Sequence, residues 1–295
     1  MRILDSHLHL WDPARLTYDW LEGPLQARFA EAEVAQARRA DDEHSAIFVQ
    51  AGAAPEQFLL EAQWVASIAE ATGVRGIVAG VPLDAGEATE RDLDAVRQIP
   101  LVVGVRHLLQ DEPAGLARTD AFLDGARALA ARDLTFDACV RTVDQLHDVA
   151  ALAAAVPDLR IVLDHLGKPA VGTAGAPEAP TAEWVAALRA LAAHGRVFCK
   201  LSGLPAEAGG DWSPAQVAPF LDEALTAFGS ERLMLGSDWP VSAVAASGSS
   251  EGGGAGVDAD AIGGWTDAVA TWAAARGIDV DAVMRANAER FYGLA

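Results

Sequence analysis

The chain has 295 residues, of which 51% are hydrophobic, so it can bury a core large enough for one big α/β domain or two smaller ones. Its 22 basic residues stand against 42 acidic ones, and the formal net charge of -20 argues against nucleic acid and anionic membranes as partners. No apolar run approaches the ~20 residues that cross a bilayer and no leader segment precedes Asp5, so we expect a cytoplasmic protein.

Short β-rich runs alternate with longer helical stretches along the chain, a pattern typical of parallel βα units. Eight strands are predicted, at residues 3–7, 46–51, 76–81, 102–106, 135–140, 160–164, 197–201 and 233–237. Helices rich in alanine and leucine are predicted between them, at residues 55–71, 119–132, 143–156, 182–194 and 214–228 among others. A closed barrel of eight such units needs about 250 residues. We therefore predict that residues 1–295 form a single (β/α)8 barrel domain.

The first predicted strand runs into the sequence H-L-H-L-W-D-P, which spans residues 7–13. An open doubly wound sheet, the alternative architecture, is expected to carry a glycine-rich phosphate loop at this point. Because residues two apart on a strand point to the same face, His7 and His9 are predicted to aim together over the mouth of a barrel. Two imidazoles suit a divalent transition metal. A core histidine followed by a loop cap explains an isolated His-x-His equally well.

Polar residues recur where later strands end. They are Arg106 and His107 after the fourth strand, His165 in D-H-L-G-K-P, Lys200 in K-L-S-G and Asp238 in G-S-D-W-P-V. Closing the barrel brings the eighth strand beside the first, so Asp238 is predicted to lie next to His7 and His9. Each of these residues alone has a structural explanation, such as a turn cap for Asp238. Their joint occurrence at strand ends favours a functional site.

Substrate-binding residues are predicted from the same strand ends and loops. Arginine suits carboxylates, and histidine both donates and accepts hydrogen bonds, while an indole face suits a sugar ring. The predicted substrate-binding residues are Arg106, His107, Lys200, Trp11 and Trp239. The alternatives are ion pairs with neighbouring acids for Arg106 and Lys200 and core packing for the two tryptophans.

Taken together and in this order, the motifs resemble those of the amidohydrolase superfamily, and more narrowly its branch of sugar lactonases and pyrone-dicarboxylate hydrolases. The resemblance runs from Asp5 to the C-terminal N-A-E-R-F-Y-G-L. It implies a (β/α)8 barrel whose candidate metal ligands are His7, His9, His165 and Asp238. It also implies one divalent ion, Zn²⁺ or Mn²⁺, although some members of this branch are thought to work without metal. The fifth strand carries Asp137 and no histidine, which argues against a second metal.

The function that the resemblance implies is the hydrolysis of a lactone, a sugar-acid lactone of carbohydrate catabolism above all. Lactone opening needs a water nucleophile, stabilisation of the developing oxyanion and a proton for the departing alkoxide. Asp238, as proton shuttle, and His165 are the predicted catalytic residues. Two other hypotheses are a metal-dependent decarboxylase of an unsaturated or aromatic acid, and a barrel that binds a metabolite without turning it over. The predicted partner is a small molecule, and the sequence makes no prediction of the oligomeric state.

One segment departs from the pattern that the resemblance implies. Residues 247–256 are rich in glycine and serine and have no hydrophobic periodicity. We predict a flexible loop there, which is either a lid over the site or a neutral surface insertion.

Overall fold

Eight parallel strands lie side by side in the order of the chain and form the wall of a barrel. They are β1 (Arg2–Leu8), β2 (Glu43–Val49), β3 (Val74–Gly80), β4 (Val102–His107), β5 (Thr135–Ala138), β6 (Ile161–Leu163), β9 (Val197–Leu201) and β10 (Leu233–Leu235). Between β6 and β9, β7 (Gly172–Thr173) and β8 (Ala176–Pro177) form a separate antiparallel hairpin that the sequence did not predict. The predicted (β/α)8 barrel is confirmed, since each predicted strand overlaps an observed one.

The structure is a computed structural model that describes residues 1–245 and 260–294. Its helices are α1 (Glu31–Ala37), α2 (Phe58–Thr72), α3 (Glu87–Val96), α4 (Asp120–Ala131), α5 (Val143–Ala155), α6 (Ala182–Ala192), α7 (Leu204–Glu207), α8 (Pro214–Phe228), α9 (Val241–Ala245), α10 (Ala261–Ala275) and α11 (Asn287–Tyr292). Among the described residues, no helix is long and apolar enough to span a membrane. The predicted flexible loop, 247–256, lies outside the described residues.

Hydroxyl side chains mark the starts of the helices that cover the barrel. Thr119, Thr142, Thr181 and Ser213 each accept a hydrogen bond from a backbone N–H of the first turn, in α4, α5, α6 and α8 respectively. These N-caps satisfy donors that a helix leaves unpaired at its start. In this way the sequence fixes where each βα loop ends.

The barrel closes between β10 and β1, which are the last and first strands of the wall. The Asp238 N–H donates to the His7 carbonyl over 2.8 Å, and the His9 N–H donates to the Trp239 carbonyl over 2.8 Å. The buried carboxylate of Asp5 on β1 accepts the N–H of Ser237 over 2.8 Å and its hydroxyl over 2.5 Å. The predicted neighbourhood of Asp238 with His7 and His9 is therefore built into the closure.

The barrel interior is apolar at its amino-terminal end. Side chains from alternate strand positions meet there, among them Leu4, Ile47, Val78, Val162 and Met234. Phe291 and Tyr292 of α11 belong to the same buried cluster, so the C-terminal helix covers this end of the barrel. The carboxyl end, where barrels of this kind place their chemistry, faces the βα loops.

Candidate active site

Three imidazoles converge on one carboxylate at the carboxyl end of the barrel. Asp238 Oδ1 lies 3.5 Å from His9 Nε2, 3.8 Å from His165 Nε2 and 3.9 Å from His7 Nε2. The Nε2 atoms of His7 and His9 are themselves 3.1 Å apart. All four residues are buried. The structure thus brings together the four residues predicted from separate strand ends.

His165 reaches this cluster from an unusual turn after β6. The four residues 165–168 have φ values of 53°, 54°, 75° and 55°, in the left-handed region. For a non-glycine residue this conformation costs roughly 1–2 kcal/mol, so such turns persist where the surroundings enforce them. One enforcing contact comes from Gly203, where a Cβ atom would lie 2.5 Å from His165 Nδ1. The adjacent Ser202 hydroxyl lies 2.9 Å from the same nitrogen.

The protonation states of the histidines leave nitrogen lone pairs in the cluster. His9 Nδ1 lies 2.8 Å from the Val49 carbonyl oxygen, which only accepts, so Nδ1 carries the proton of the neutral ring and Nε2 is free of one. Burial lowers the pKa of His9, and it lowers the pKa values of His7 and His165 well below the usual 6.5. All three imidazoles are therefore neutral at neutral pH.

Asp238 is anionic in the same environment. Burial opposes its ionisation, but the adjacent His165 and His9 outweigh that penalty and lower the pKa of the carboxyl below its usual value. The Ser242 hydroxyl donates to Asp238 Oδ2 over 3.0 Å. Oδ1 is left facing the three imidazoles.

The donor set suits a divalent transition metal. His7, His9 and Asp238 each offer one ligand atom, and these atoms lie within 4.8 Å of one another; His7, Asp164 and His165 form a second such group. Imidazole nitrogens and a carboxylate oxygen are the ligands of catalytic zinc sites. The hydrogen bond from His9 Nδ1 to a backbone carbonyl is also the usual outer partner of a metal-ligating histidine.

Behind His7, the barrel interior holds a buried charge cluster centred on Lys200. Lys200 Nζ lies 2.5 Å from Asp137 Oδ2, 3.0 Å from Asp164 Oδ1 and 3.1 Å from His7 Nδ1. The Tyr292 hydroxyl donates to Asp137 Oδ2 over 2.8 Å. This ammonium therefore compensates two carboxylates inside the barrel.

Above the imidazoles opens a cavity of about 680 Å³, in the size range of small-molecule sites. His9, His165 and Asp238 line it, so reactive groups lie on its wall. Arg106 lines it as well, with Nη1 3.5 Å from Asp164 Oδ2 and Nε donating to Gln50 Oε1 over 2.9 Å. The cavity therefore combines the candidate metal ligands with a firmly held guanidinium group.

A family model described as amidohydrolase matches residues 4–294, nearly the whole chain. The chain belongs to the amidohydrolase family. This confirms the family that the strand-end motifs suggested.

The amidohydrolase is similar to two curated relatives. It is 36% identical over 258 residues to an L-fucono-1,5-lactonase of Burkholderia multivorans, an alignment that covers 83% of this chain and 84% of the relative. It is 34% identical over 247 residues to an L-fucono-1,5-lactonase of Burkholderia ambifaria, covering 82% of this chain and 81% of the relative.

Solved structures show the same architecture. Crystal structures of an amidohydrolase from Burkholderia multivorans, one with bound HEPES and one with bound zinc, are 30% identical to the chain and give TM-scores of 0.81 and 0.79. Both alignments cover 99% of each chain. The family and the zinc-bound structure agree with the donor set found here in favouring a metal site.

Four of the predicted substrate-binding residues lie outside the cavity wall of the amidohydrolase. Lys200 is fully buried in the charge cluster, and the His107 ring turns away, where Nδ1 accepts the N–H of Leu83 over 3.1 Å. Trp11 donates its indole N–H to the carbonyls of Leu25 and Ala27, and the Trp239 ring packs against Phe29 at 5.5 Å. Of the predicted set, Arg106 alone lines the cavity.

Other residues line the cavity of the amidohydrolase that sequence reasoning did not single out. Trp20 is 40% exposed and donates its indole N–H to the Ala51 carbonyl over 2.8 Å. Further polar lining comes from Asp19, Gln110, Arg141 and Lys168. All five follow a barrel strand in the chain, so the rule that function lies in the loops after strands could have found them as a group.

Proposed function

We propose that this amidohydrolase is a cytoplasmic hydrolase that opens the ring of a sugar-acid lactone, with L-fucono-1,5-lactone as the leading candidate. The observation that carries the proposal is the convergence of three neutral imidazoles on the anionic Asp238 at the wall of a small-molecule cavity. The two curated relatives named L-fucono-1,5-lactonase support the substrate class.

The residues that would hold one divalent ion, zinc in the first place, are His7, His9, His165 and Asp238. Their donor atoms and their buried, neutral imidazoles fit such an ion. When bound, a zinc ion polarises a carbonyl oxygen and lowers the pKa of a coordinated water to about 7.

The proton transfers fall to Asp238, whose lowered pKa keeps it a carboxylate at neutral pH. Asp238 takes a proton from the attacking water as its oxygen bonds to the lactone carbonyl carbon. The bond from this carbon to the ring oxygen then breaks, and Asp238 returns the proton to the departing oxygen. The product is a hydroxy acid, which releases one proton to solvent at neutral pH.

Two cavity residues are suited to hold the sugar ring. Trp20 presents a half-exposed indole whose N–H is fixed to Ala51, so its face is set before substrate arrives. Arg106 is held by Asp164 and Gln50, which places its remaining N–H groups at the cavity wall for substrate oxygens. Because the charge of Arg106 already faces Asp164, we expect a neutral lactone rather than a dicarboxylate.

The test is proton release, followed with a pH indicator, from a panel of five- and six-membered sugar lactones with and without chelator. The proposal predicts activity on aldonolactones that is lost with chelator and regained with Zn²⁺ or Mn²⁺. Chelator-resistant activity would reduce the histidines to hydrogen bonders around a metal-free site. Silence across the panel, with CO₂ release from aromatic or unsaturated acids instead, would replace the lactonase with a decarboxylase.

A further inference from the structure

The chain uses lysine in a conspicuously restricted way. Of its 22 basic residues, 20 are arginine and two are lysine, Lys168 and Lys200. Lys200 compensates the carboxylates inside the barrel, whereas Lys168 lines the cavity. Arginine thus occupies each of the other basic positions, and the compact ammonium of lysine occurs only at the site.

The backbone that carries Lys168 is the left-handed turn of residues 165–168, in which three of the four residues are not glycine. In a helical turn, side chains three positions apart lie on the same side, so the turn directs His165 and Lys168 toward the same cavity. Both residues line it. Backbone strain of this kind is a pointer to function when it places a reactive side chain.

The hydrogen-bond partner of Lys168 is neutral. Lys168 Nζ donates to Gln110 Oε1 over 2.5 Å, and the Cys139 thiol donates to the same oxygen over 3.2 Å. The Gln110 amide nitrogen donates to Asp111 Oδ2 over 3.2 Å, which fixes the orientation of the amide. Within residues 1–245 and 260–294, no carboxylate oxygen lies within 4.0 Å of Lys168 Nζ.

The other two cations of the cavity wall differ from Lys168 in this respect. Arg106 Nη1 lies 3.5 Å from Asp164 Oδ2, and Arg141 Nη1 lies 3.9 Å from Glu207 Oε2. In a cavity lined by several acids, Lys168 is therefore the cation whose charge is held ready by an amide rather than compensated by a carboxylate.

We propose that Lys168 binds the anionic oxygen that ring opening creates, first the oxyanion and then the carboxylate of the product. The inference rests on the proposed lactonase function and deepens it by naming a residue that recognises the charge which the neutral substrate lacks. Charge-assisted hydrogen bonds are about twice as strong as neutral ones, so Lys168 favours the transition state and product over the lactone.

The direct test uses the two lysines as reporters. Protein labelled with ¹³C at lysine Cε gives two lysine signals, and the Lys168→Gln variant assigns them. Addition of L-fuconate is expected to shift the Lys168 signal strongly and the Lys200 signal little. The neutral sugar L-fucose is expected to leave the Lys168 signal almost in place. An unmoved Lys168 signal at saturating L-fuconate would overturn the inference.

Binding constants measured by calorimetry give the second test. Lys168→Gln is expected to weaken L-fuconate binding about tenfold or more while changing the KM for the neutral lactone by less than about threefold. Gln110→Glu, which supplies Lys168 with a carboxylate partner, should weaken L-fuconate binding in the same direction. Arg141→Gln, the matched removal of a charge already facing Glu207, should weaken it less.

The zinc content of each variant is measured beside its affinity, so that a lost ion is not mistaken for a lost ammonium. Equal L-fuconate affinity in wild type and Lys168→Gln, in a protein that opens lactones, would refute the role of Lys168 and leave the lactonase proposal standing. A wild type that neither opens a lactone nor binds L-fuconate would instead remove the proposed function, and this inference with it.

Discussion

The Nδ1 atom of His9 lies 2.8 Å from the carbonyl oxygen of Val49, so a strand of the barrel fixes the ring that faces Asp238. Val49 is the last residue of β2, the neighbour of β1 in the barrel wall. The hydrogen bond keeps the proton on Nδ1 and directs the Nε2 lone pair into the cluster. Closure of the barrel and availability of the ligand atom are thus parts of one arrangement.

Replacing His9 tests whether this lone pair binds metal. His9→Ala is expected to lower zinc content from near one ion per chain to well below it, because one of the convergent donors is lost. Zinc is measured by mass spectrometry after dialysis against a fixed free-zinc concentration. His147→Gln, on the exposed face of α5, serves as the control and should keep its zinc. Equal zinc in His9→Ala and wild type would remove His9 from the ligand set.

Replacing Asp238 tests the proton shuttle. Asp238→Asn keeps the shape of the side chain but removes its basicity, so we expect kcat to fall by about 10²–10⁴-fold. Circular dichroism and the thermal midpoint should stay near those of wild type. Zinc content is determined in parallel, since Asp238 also belongs to the candidate ligand set. A zinc-loaded Asp238→Asn enzyme with the wild-type rate would disprove the role of Asp238.

Glu61 on α2 gives a prediction about stability and pH. Its buried carboxylate accepts the N–H groups of Ala51 and Ala53 at the cavity loop, over 3.2 Å and 3.3 Å. Burial raises the pKa of Glu61 from 4.5 to about 7, so the folded state holds its proton where the unfolded state has released it. The resulting stability is fully present below pH 4.5 and is lost as pH rises through 7.

Glu61→Gln removes this titration and provides the comparison. Between pH 4.5 and 8.5 the free energy of unfolding of wild type should fall by about 3 kcal/mol relative to that of the variant. Urea unfolding at several pH values measures the difference. A difference that stays constant with pH would show that Glu61 titrates alike in the folded and unfolded states.

The barrel could be predicted from the sequence because its periodicities are local. Each βα unit carries a short apolar run, a helix and a capping residue, so eight repeats and the position of Asp238 beside His7 and His9 follow from closure. The depth of a side chain within the barrel does not follow in this way. On β9, Phe198 and Lys200 alternate with Cys199 and point inward, and alternation alone does not tell that Lys200 ends below His7 rather than at the mouth.

The tryptophans show the same limit. Trp11, Trp20 and Trp239 all lie in segments that follow a strand, and their surroundings in sequence are equally rich in turn residues. Which indole packs and which lines the cavity depends on contacts with Phe29 and Ala51, which are distant in sequence from at least one of the three. Tertiary packing therefore decided what the local pattern left open.

The buried lysine leads to a prediction about stability. Lys200→Met leaves the carboxylates of Asp137 and Asp164 in the barrel interior without their ammonium partner. Breaking a buried pair in this way costs about 3–5 kcal/mol. Urea unfolding of Lys200→Met should show a loss of this size. The double variant with Asp137→Asn is expected to recover part of it, and a loss equal to the sum of the single losses would mean that the two groups do not interact.

The contrast between Trp20 and Trp11 separates binding from packing. Trp20 lines the cavity with 40% of its surface exposed, whereas Trp11 is fully buried against Phe29. Trp20→Ala should therefore raise the KM for the lactone by about tenfold with little effect on the thermal midpoint, since a stacking surface is removed and no core is opened. Trp11→Ala should instead lower the free energy of unfolding by about 3–5 kcal/mol, because it leaves a cavity in the core.

Both variants are measured by lactone hydrolysis and by urea unfolding. Trp20→Phe keeps an aromatic face and should restore most of the lost affinity, which separates ring stacking from the hydrogen bond of the indole to Ala51. If Trp20→Ala lowered stability as much as Trp11→Ala and left KM unchanged, Trp20 would be a packing residue, and the sugar ring would have to be held by the polar residues of the cavity wall.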